Sequence, residues 1–185
     1  MKWLDLFIRD WRIKKAFPYL SNAKEVLDIG SGDGELCRLL ANHGIKGIGI
    51  DTCSNEAFVP EGFKFVLGSF PDALPNGKSF DAISVLAVLE HISEDKKTAF
   101  VKACFERLSV EGFIVLTVPS PKVDVILSVL KFMRLVDGIA IDQHHGFSPV
   151  EVEPLFELAG FKLFVHKKFQ FGLNNLFIFK KKNLI

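Results

Sequence analysis

Residues Asp28-Ile29-Gly30-Ser31-Gly32-Asp33-Gly34 set three glycines at alternate positions directly after a short apolar run. Glycine has no Cβ and takes positive φ freely, so such a turn lets the backbone approach a ligand closely. Asp51 ends a second apolar run, with Thr52 beside it. A carboxylate there can accept hydrogen bonds from both hydroxyls of a ribose, and charged hydrogen bonds are worth roughly 1.5–3 kcal/mol each. A bare turn followed by an acid at the next strand end is the chemistry of a site for a nucleoside-containing ligand.

The elements that must position these residues follow from periodicity. Trp3, Phe7 and Trp11 recur at i, i+4 and i+8, with Leu4 and Ile8 beside them, which predicts an amphipathic helix ending at Pro18. Apolar runs at 26–29, 47–51, 63–67, 80–86 and 112–118 predict strands. Helices are predicted at 35–43, closed by Gly44, and at 94–108. A long apolar helix over 123–136 follows, then a loop over 138–148, then a helix over 149–159 with Ser148 as its N-cap. Residues 161–169 and 174–181 read as an antiparallel hairpin around Gly172, and Lys180-Lys181-Lys182 as a basic tail. Strands apolar on both faces that alternate with helices predict a mostly parallel sheet covered on both sides. In such sheets the ligand lies in the crevice beyond the carboxyl ends of the strands, where the glycine turn sits.

Two cofactor classes use turns of this kind. Dinucleotide enzymes need G-x-G-x-x-G and set a pyrophosphate on the helix N-terminus. Here the spacing is G-x-G-x-G, Glu35 occupies the place of the last dinucleotide glycine, and Asp33 and Glu35 oppose a pyrophosphate. S-adenosylmethionine has no phosphate and carries an ammonium and a sulfonium, which suits these acids and Asp28. Asp51 serves either class.

With these residues in hand, the chain resembles the class I S-adenosylmethionine-dependent methyltransferases of small-molecule type. Residues 26–34 resemble that family's first motif and Asp51 its ribose-binding acid. Gly68-Ser69-Phe70 resembles the adenine-contacting loop, with Ser69 where the family often has Asp. Residues 80–91 resemble the fourth-strand motif, with Leu86 near the methionine part, and 108–113 the turn before the fifth strand, with Glu111 where the family usually has Gly. The resemblance implies a doubly wound α/β fold with a seven-stranded sheet of order 3-2-1-4-5-7-6, its seventh strand antiparallel. It further implies S-adenosylmethionine as cofactor, held by Asp28, Gly30, Ser31, Gly32, Gly34, Asp51, Thr52, Gly68, Ser69, Phe70 and Leu86. The activity it implies is methyl transfer to a small metabolite, an apolar one favoured. A non-catalytic S-adenosylmethionine-binding or scaffold protein on the same fold, and an NAD-dependent oxidoreductase, stay open as alternatives.

Methyl transfer asks mainly for alignment, because the cofactor carries the reactivity. A base is needed only where the acceptor must lose a proton. His144 and His145, in the loop over the sheet's carboxyl edge, are the candidates, whereas the resemblance implies that Glu90-His91 is a structural pair that begins a helix. The helix at 1–20 and the segment 120–148 are read as a cap and an acceptor-side element of one domain spanning 1–185.

Composition bounds the rest. The chain has 185 residues, 49% hydrophobic and 24% charged, with net charge +1. That is a single globular domain without the basic excess of a nucleic-acid binder. Cys37, Cys53 and Cys104 form no Cys-x-x-Cys pair, which speaks against a disulfide framework or a metal site and for buried thiols in the cytoplasm. Asp5, Arg9, Asp10 and Arg12 interrupt any signal-peptide core, and no run is long enough to cross a membrane. Phe occurs 19 times against a single Tyr, as core or as the lining of an apolar pocket.

Overall fold

The computed structural model describes residues 3–53, 59–121 and 148–182. The sheet is built from β1 (Glu25–Ile29), β2 (Lys46–Asp51), β3 (Phe63–Leu67), β4 (Phe80–Leu86), β5 (Leu108–Pro119), β6 (Phe161–Phe169) and β7 (Asn174–Lys181). Its order is β3-β2-β1-β4-β5-β7-β6, as the resemblance implies. The pairs from β3 through β5 are parallel, and β7 runs antiparallel to both β5 and β6. The helices are α1 (Trp3–Leu20), α2 (Glu35–Ala41), α3 (Glu94–Arg107) and α4 (Pro149–Leu158).

Two cores follow from the pleat, which sends successive side chains to opposite faces. Leu27 and Ile29 of β1 join one cluster with Val101 and Cys104 of α3 and Val152 and Phe156 of α4. Val26 joins the other, with Ile13, Ala16 and Leu20 of α1 and Leu36 and Leu40 of α2. Much of the phenylalanine excess is core. Phe156 stacks on Phe179 at 4.6 Å between ring centroids, and Phe161 meets Phe105 and Phe156 at 5.3 and 5.4 Å. These rings fix α4 against β6 and β7.

Several boundaries differ from the sequence pattern. Pro18 does not stop α1, which runs on to Leu20. A proline costs a helix the bond its missing N–H would donate, but the last turn here is anchored by buried Leu20 and closed by the Ser21 N–H donating to the Phe17 carbonyl at 2.9 Å. The buried face of α1 is Ile13, Ala16 and Leu20, which pack on the sheet, whereas Phe7 is 53% exposed and Trp11 is half-buried against the edge of that core. β5 begins at Leu108, because Leu108 pairs with Phe80 ahead of a register shift. Within it Glu111 takes φ 66, the left-handed conformation that suits the glycine the resemblance implies at this turn. Glu90-His91 closes a 3₁₀ turn, Leu89–His91, and does not open α3. Ser148 does occupy the N-cap of α4, with Pro149 following, but its side chain makes no capping bond. Lys180 and Lys181 belong to β7, and the Lys181 Nζ donates to the Phe105 and Leu108 carbonyls at 2.9 and 2.8 Å, capping the end of α3. The helix predicted over 123–136 lies outside the described residues.

Phe156→Ala removes the ring at the centre of the aromatic cluster. It is expected to cost about 3–5 kcal/mol of folding stability, read as a lower denaturant midpoint with an unchanged slope.

Candidate functional site

The carboxyl ends of β1, β2, β3 and β4 lie side by side, so the loops that leave them meet. The turn after β1 is left-handed three times over, with φ 74 at Gly30, 52 at Gly32 and 77 at Gly34. A Cβ at Gly30 would lie 2.3 Å from Val88, and one at Gly34 2.6 Å from Phe65. At Gly32 it would meet none of the described residues within 4 Å. Gly30 and Gly34 are therefore required by the protein's own packing, and Gly32 leaves its side open.

Asp51 ties the loops together. Its Oδ2 accepts the Gly32 N–H at 2.9 Å and its Oδ1 accepts the Cys53 N–H at 2.9 Å. Its carbonyl accepts the Gly68 N–H at 2.8 Å, while the Ile50 carbonyl takes the Gly30 and Ser31 N–H groups at 2.8 and 3.2 Å. Thr52 is exposed next to it. A carboxylate oxygen has two lone-pair directions, so each Asp51 oxygen keeps one for a further donor. Ser31 is buried, and its Oγ has no hydrogen-bond partner among the described residues.

Asp28 is placed beneath the turn. It is 3% exposed, on the face of β1 toward α2. Its Oδ1 accepts the Ser84 hydroxyl and its Oδ2 the Cys37 thiol at 3.4 Å. Burial raises its pKa to about 6, against the opposing pull of the two hydrogen bonds and with a further push from the Asp51 charge. Asp28 thus joins β1, β4 and α2 under the glycines. Burial also pushes the thiols of Cys37 and Cys104 up. Cys53, by contrast, is exposed, since it lies just past the end of β2.

Ser69 is exposed, and its carbonyl accepts the Ala73 N–H at 2.9 Å. Phe70 packs edge-on against Phe100 of α3 at 5.4 Å, which sets its loop on the core. Leu86 ends β4 half-buried against the α1 side. After it Ala87 takes φ 57, a strained conformation for a residue with a Cβ, and its N–H donates to the Thr117 carbonyl at 3.1 Å. His144 and His145 lie outside the described residues. Among the described residues no three His, Cys, Asp or Glu side chains are grouped to hold a metal ion.

The pattern of apolar residues gives no sign of the charges that α1 brings. Arg9 forms an ion pair with Asp33 of the glycine turn and another with Asp10 at 2.7 Å. Burial works against the Arg9 charge, but Asp10, Asp33 and Glu35 together raise its pKa. Arg38 binds Glu35 at 2.6 Å and donates to the Asp33 carbonyl at 2.7 Å. The charges of Asp33 and Glu35 are therefore offset locally, and they oppose a pyrophosphate less than the sequence suggests. Arg12 is lowered by burial and partly restored by the Glu90 charge. The signal, in retrospect, is the i, i+3 spacing of Arg9 and Arg12 on one helix face.

Residues 2–166 match the family described as a methyltransferase domain. The chain belongs to that family. Among individual proteins, this methyltransferase-domain chain is 27% identical over 154 residues to the ubiquinone biosynthesis O-methyltransferase of Psychrobacter arcticus, covering 75% of the chain. It spans 59% of the length of that curated relative. Its fold matches the crystal structure of Burkholderia thailandensis 1,6-didemethyltoxoflavin-N1-methyltransferase, solved with bound 1,6-didemethyltoxoflavin and S-adenosylhomocysteine, with a TM-score of 0.70. That match has 17% identity and covers 93% of this chain and 77% of the other. An S-adenosylmethionine-dependent methyltransferase from Archaeoglobus fulgidus matches with a TM-score of 0.71 and 20% identity, covering 94% and 93%.

Asp28 gives the site a pH signature. A buried acid with a raised pKa holds its proton more tightly folded than unfolded, so its ionisation weakens the fold as pH rises from about 4 to about 6. Asp28→Asn is expected to remove that part of the decline, about 3 kcal/mol by the size of the shift. Denaturant unfolding of both proteins at pH 4, 5, 6 and 7 checks it; parallel profiles would show that Asp28 does not titrate in this window.

Proposed function

We propose that this protein transfers a methyl group from S-adenosylmethionine to a small-molecule acceptor. The observation that carries the reading is the clasp between Asp51 and the glycine turn, on a domain of the methyltransferase family. The residues present fit this cofactor. Among the described residues nothing crowds the Cβ side of Gly32 and nothing bonds the buried Ser31 Oγ, and Asp51 keeps an acceptor direction on each oxygen.

When bound, the cofactor supplies an activated methyl carbon, so the protein's task is alignment and exclusion of water. In this reading Asp51 accepts the ribose hydroxyls, with Thr52 beside it. Gly30, Ser31, Gly32 and Gly34 admit the methionine part, and Leu86 covers it. Gly68, Ser69 and Phe70 border the adenine, Phe70 from its seat on Phe100. Asp28 acts from below, by holding the turn against Ser84 and Cys37. α1 caps the site, since Arg9 fixes it to Asp33 and Arg12 faces Glu90. For an acceptor that must lose a proton, His144 and His145 are the bases we assign.

An apolar acceptor is supported by the apolar character of residues 123–136, and by the relative named for ubiquinone biosynthesis. No helix among the described residues is long and apolar enough to cross a membrane. A cytoplasmic setting belongs to this proposal and is supported by three free cysteines.

Thermal unfolding with S-adenosylmethionine, S-adenosylhomocysteine and NAD, each alone, tests the reading. A ligand at 100 times its Kd stabilises by about 2.7 kcal/mol, a rise of roughly 5–11 °C in Tm for a domain this size. The two sulfur nucleotides are expected to give that rise and NAD none. Asp51→Ala is expected to weaken S-adenosylhomocysteine binding at least tenfold by calorimetry. A response to NAD alone would favour the oxidoreductase, and no response from folded protein would favour the scaffold.

A further inference from the structure

The open side of α1 faces the β6–β7 turn across a groove of about 740 Å³. Its apolar wall includes Phe7, Trp11 and Phe169, and its rim carries Lys14 and Lys15 from α1 and Lys167 and Lys168 from β6. Among the described residues Asp10 is the one acid in the lining, against four lysines, and it shares the Arg9 guanidinium with Asp33. The face is therefore aromatic along its floor and cationic on both banks.

The turn that ends the groove is shaped at a cost. Gln170 and Phe171 adopt φ 50 and 58, left-handed values that residues with a Cβ avoid. The Gln170 Nε2 donates to the Ile8 carbonyl at 3.1 Å, and the Asn174 Nδ2 donates to the Gln170 Oε1 at 2.5 Å, so the turn is pinned to α1. What this holds up is the ring of Phe171, 95% exposed. The ring touches Trp11 edge-on at 6.0 Å, and Trp11 meets Phe7 in the same way at 5.6 Å. Strain that presents an apolar ring to water adds nothing to the core, and strained residues held by their surroundings cluster at functional surfaces.

We propose that this face, α1 with the β6–β7 turn, docks on an anionic lipid bilayer. A row of aromatics flanked by lysines is the pattern of an interfacial anchor, in which rings enter the headgroup boundary and lysine stems reach back to the lipid phosphates. A ring as exposed as Phe171 fits a surface that yields to it, where a protein partner would need a matching pocket. The positive banks select anionic lipid. The face lies at the same end of the sheet as the cofactor crevice, since Asn174 pairs with Pro119 at the carboxyl end of β5 and Arg9 of α1 reaches Asp33, but the proposal does not rest on the methyl-transfer reading.

Co-sedimentation of the full chain with vesicles tests it, using phosphatidylcholine alone and phosphatidylcholine mixed with phosphatidylglycerol. Binding is expected only to the anionic vesicles and is expected to fall with added salt. Lys167→Gln together with Lys168→Gln is expected to weaken it about thirtyfold, at about 1 kcal/mol per lysine. Phe171→Ser is expected to weaken it about tenfold. All three positions are exposed, so the variants keep the fold, and circular dichroism verifies that. Absence of binding to either vesicle would overturn the proposal and leave the face to an acidic protein. Equal binding to both vesicles would overturn the role of the lysines. Full binding by both variants would overturn this face as the anchor and place the contact elsewhere in the chain.

Discussion

Everything at the strand ends depends on one carboxylate that is held by backbone donors. Asp51 receives N–H groups from Gly32 and Cys53, and its own carbonyl receives Gly68. No cation is paired with it among the ion pairs of the described residues. A lysine or arginine there would occupy the oxygens and set their geometry. Peptide dipoles satisfy part of the charge and leave acceptor capacity over. The glycines follow from the same constraint. For the Gly32 N–H to reach Asp51 the turn must pass through left-handed conformations at three alternate positions, each costing about 1–2 kcal/mol for any residue with a Cβ. The acid and the glycines are one device.

That device was legible because both halves are marked by residue type. The strands from β1 to β4 were legible because they are apolar on both faces, and Phe63–Leu67 and Phe80–Leu86 coincide with their sequence runs. The strand order was not in the periodicity; it came with the family resemblance, since no local pattern says that β7 inserts beside β5. Boundaries failed where a distant partner decides them. Leu108 becomes strand because Phe80 lies beside it, and Lys181 is no free tail because the end of α3 lies under it. Pro18 misled because burial of Leu20 outweighs one missing hydrogen bond.

The seat of Asp28 is subtler. Asp28 sits in the glycine motif and its type draws it toward the ligand. The alternation of the strand adds which side it is built on: Leu27 and Ile29 face one core, so Val26 and Asp28 face the other. Read that way, the acid points at α2, where Cys37 waits. The two carboxylates divide the work. Asp51, half-buried, keeps acceptor capacity, while Asp28, buried with a raised pKa, spends its capacity on Ser84 and Cys37. A buried polar group of this kind is worth little as net stability but fixes three elements in one arrangement when its bonds are made.

α1 shows why a two-colour pattern of apolar and polar residues underreads a helix. Ile13, Ala16 and Leu20 face the sheet. Arg9 and Arg12 address Asp33 and Glu90. Phe7, Trp11, Lys14 and Lys15 line the groove. Three stripes on one cylinder leave no clean polar face, so the amphipathic signal is diluted and the aromatic stripe passes for the buried one. An ion pair as exposed as Arg9–Asp33 contributes at most about 1 kcal/mol, so its weight lies in placement. It fastens the start of α1 to the glycine turn, while burial of Ile13, Ala16 and Leu20 sets the rotation of the helix and leaves Phe7 exposed and Trp11 half-buried against the core.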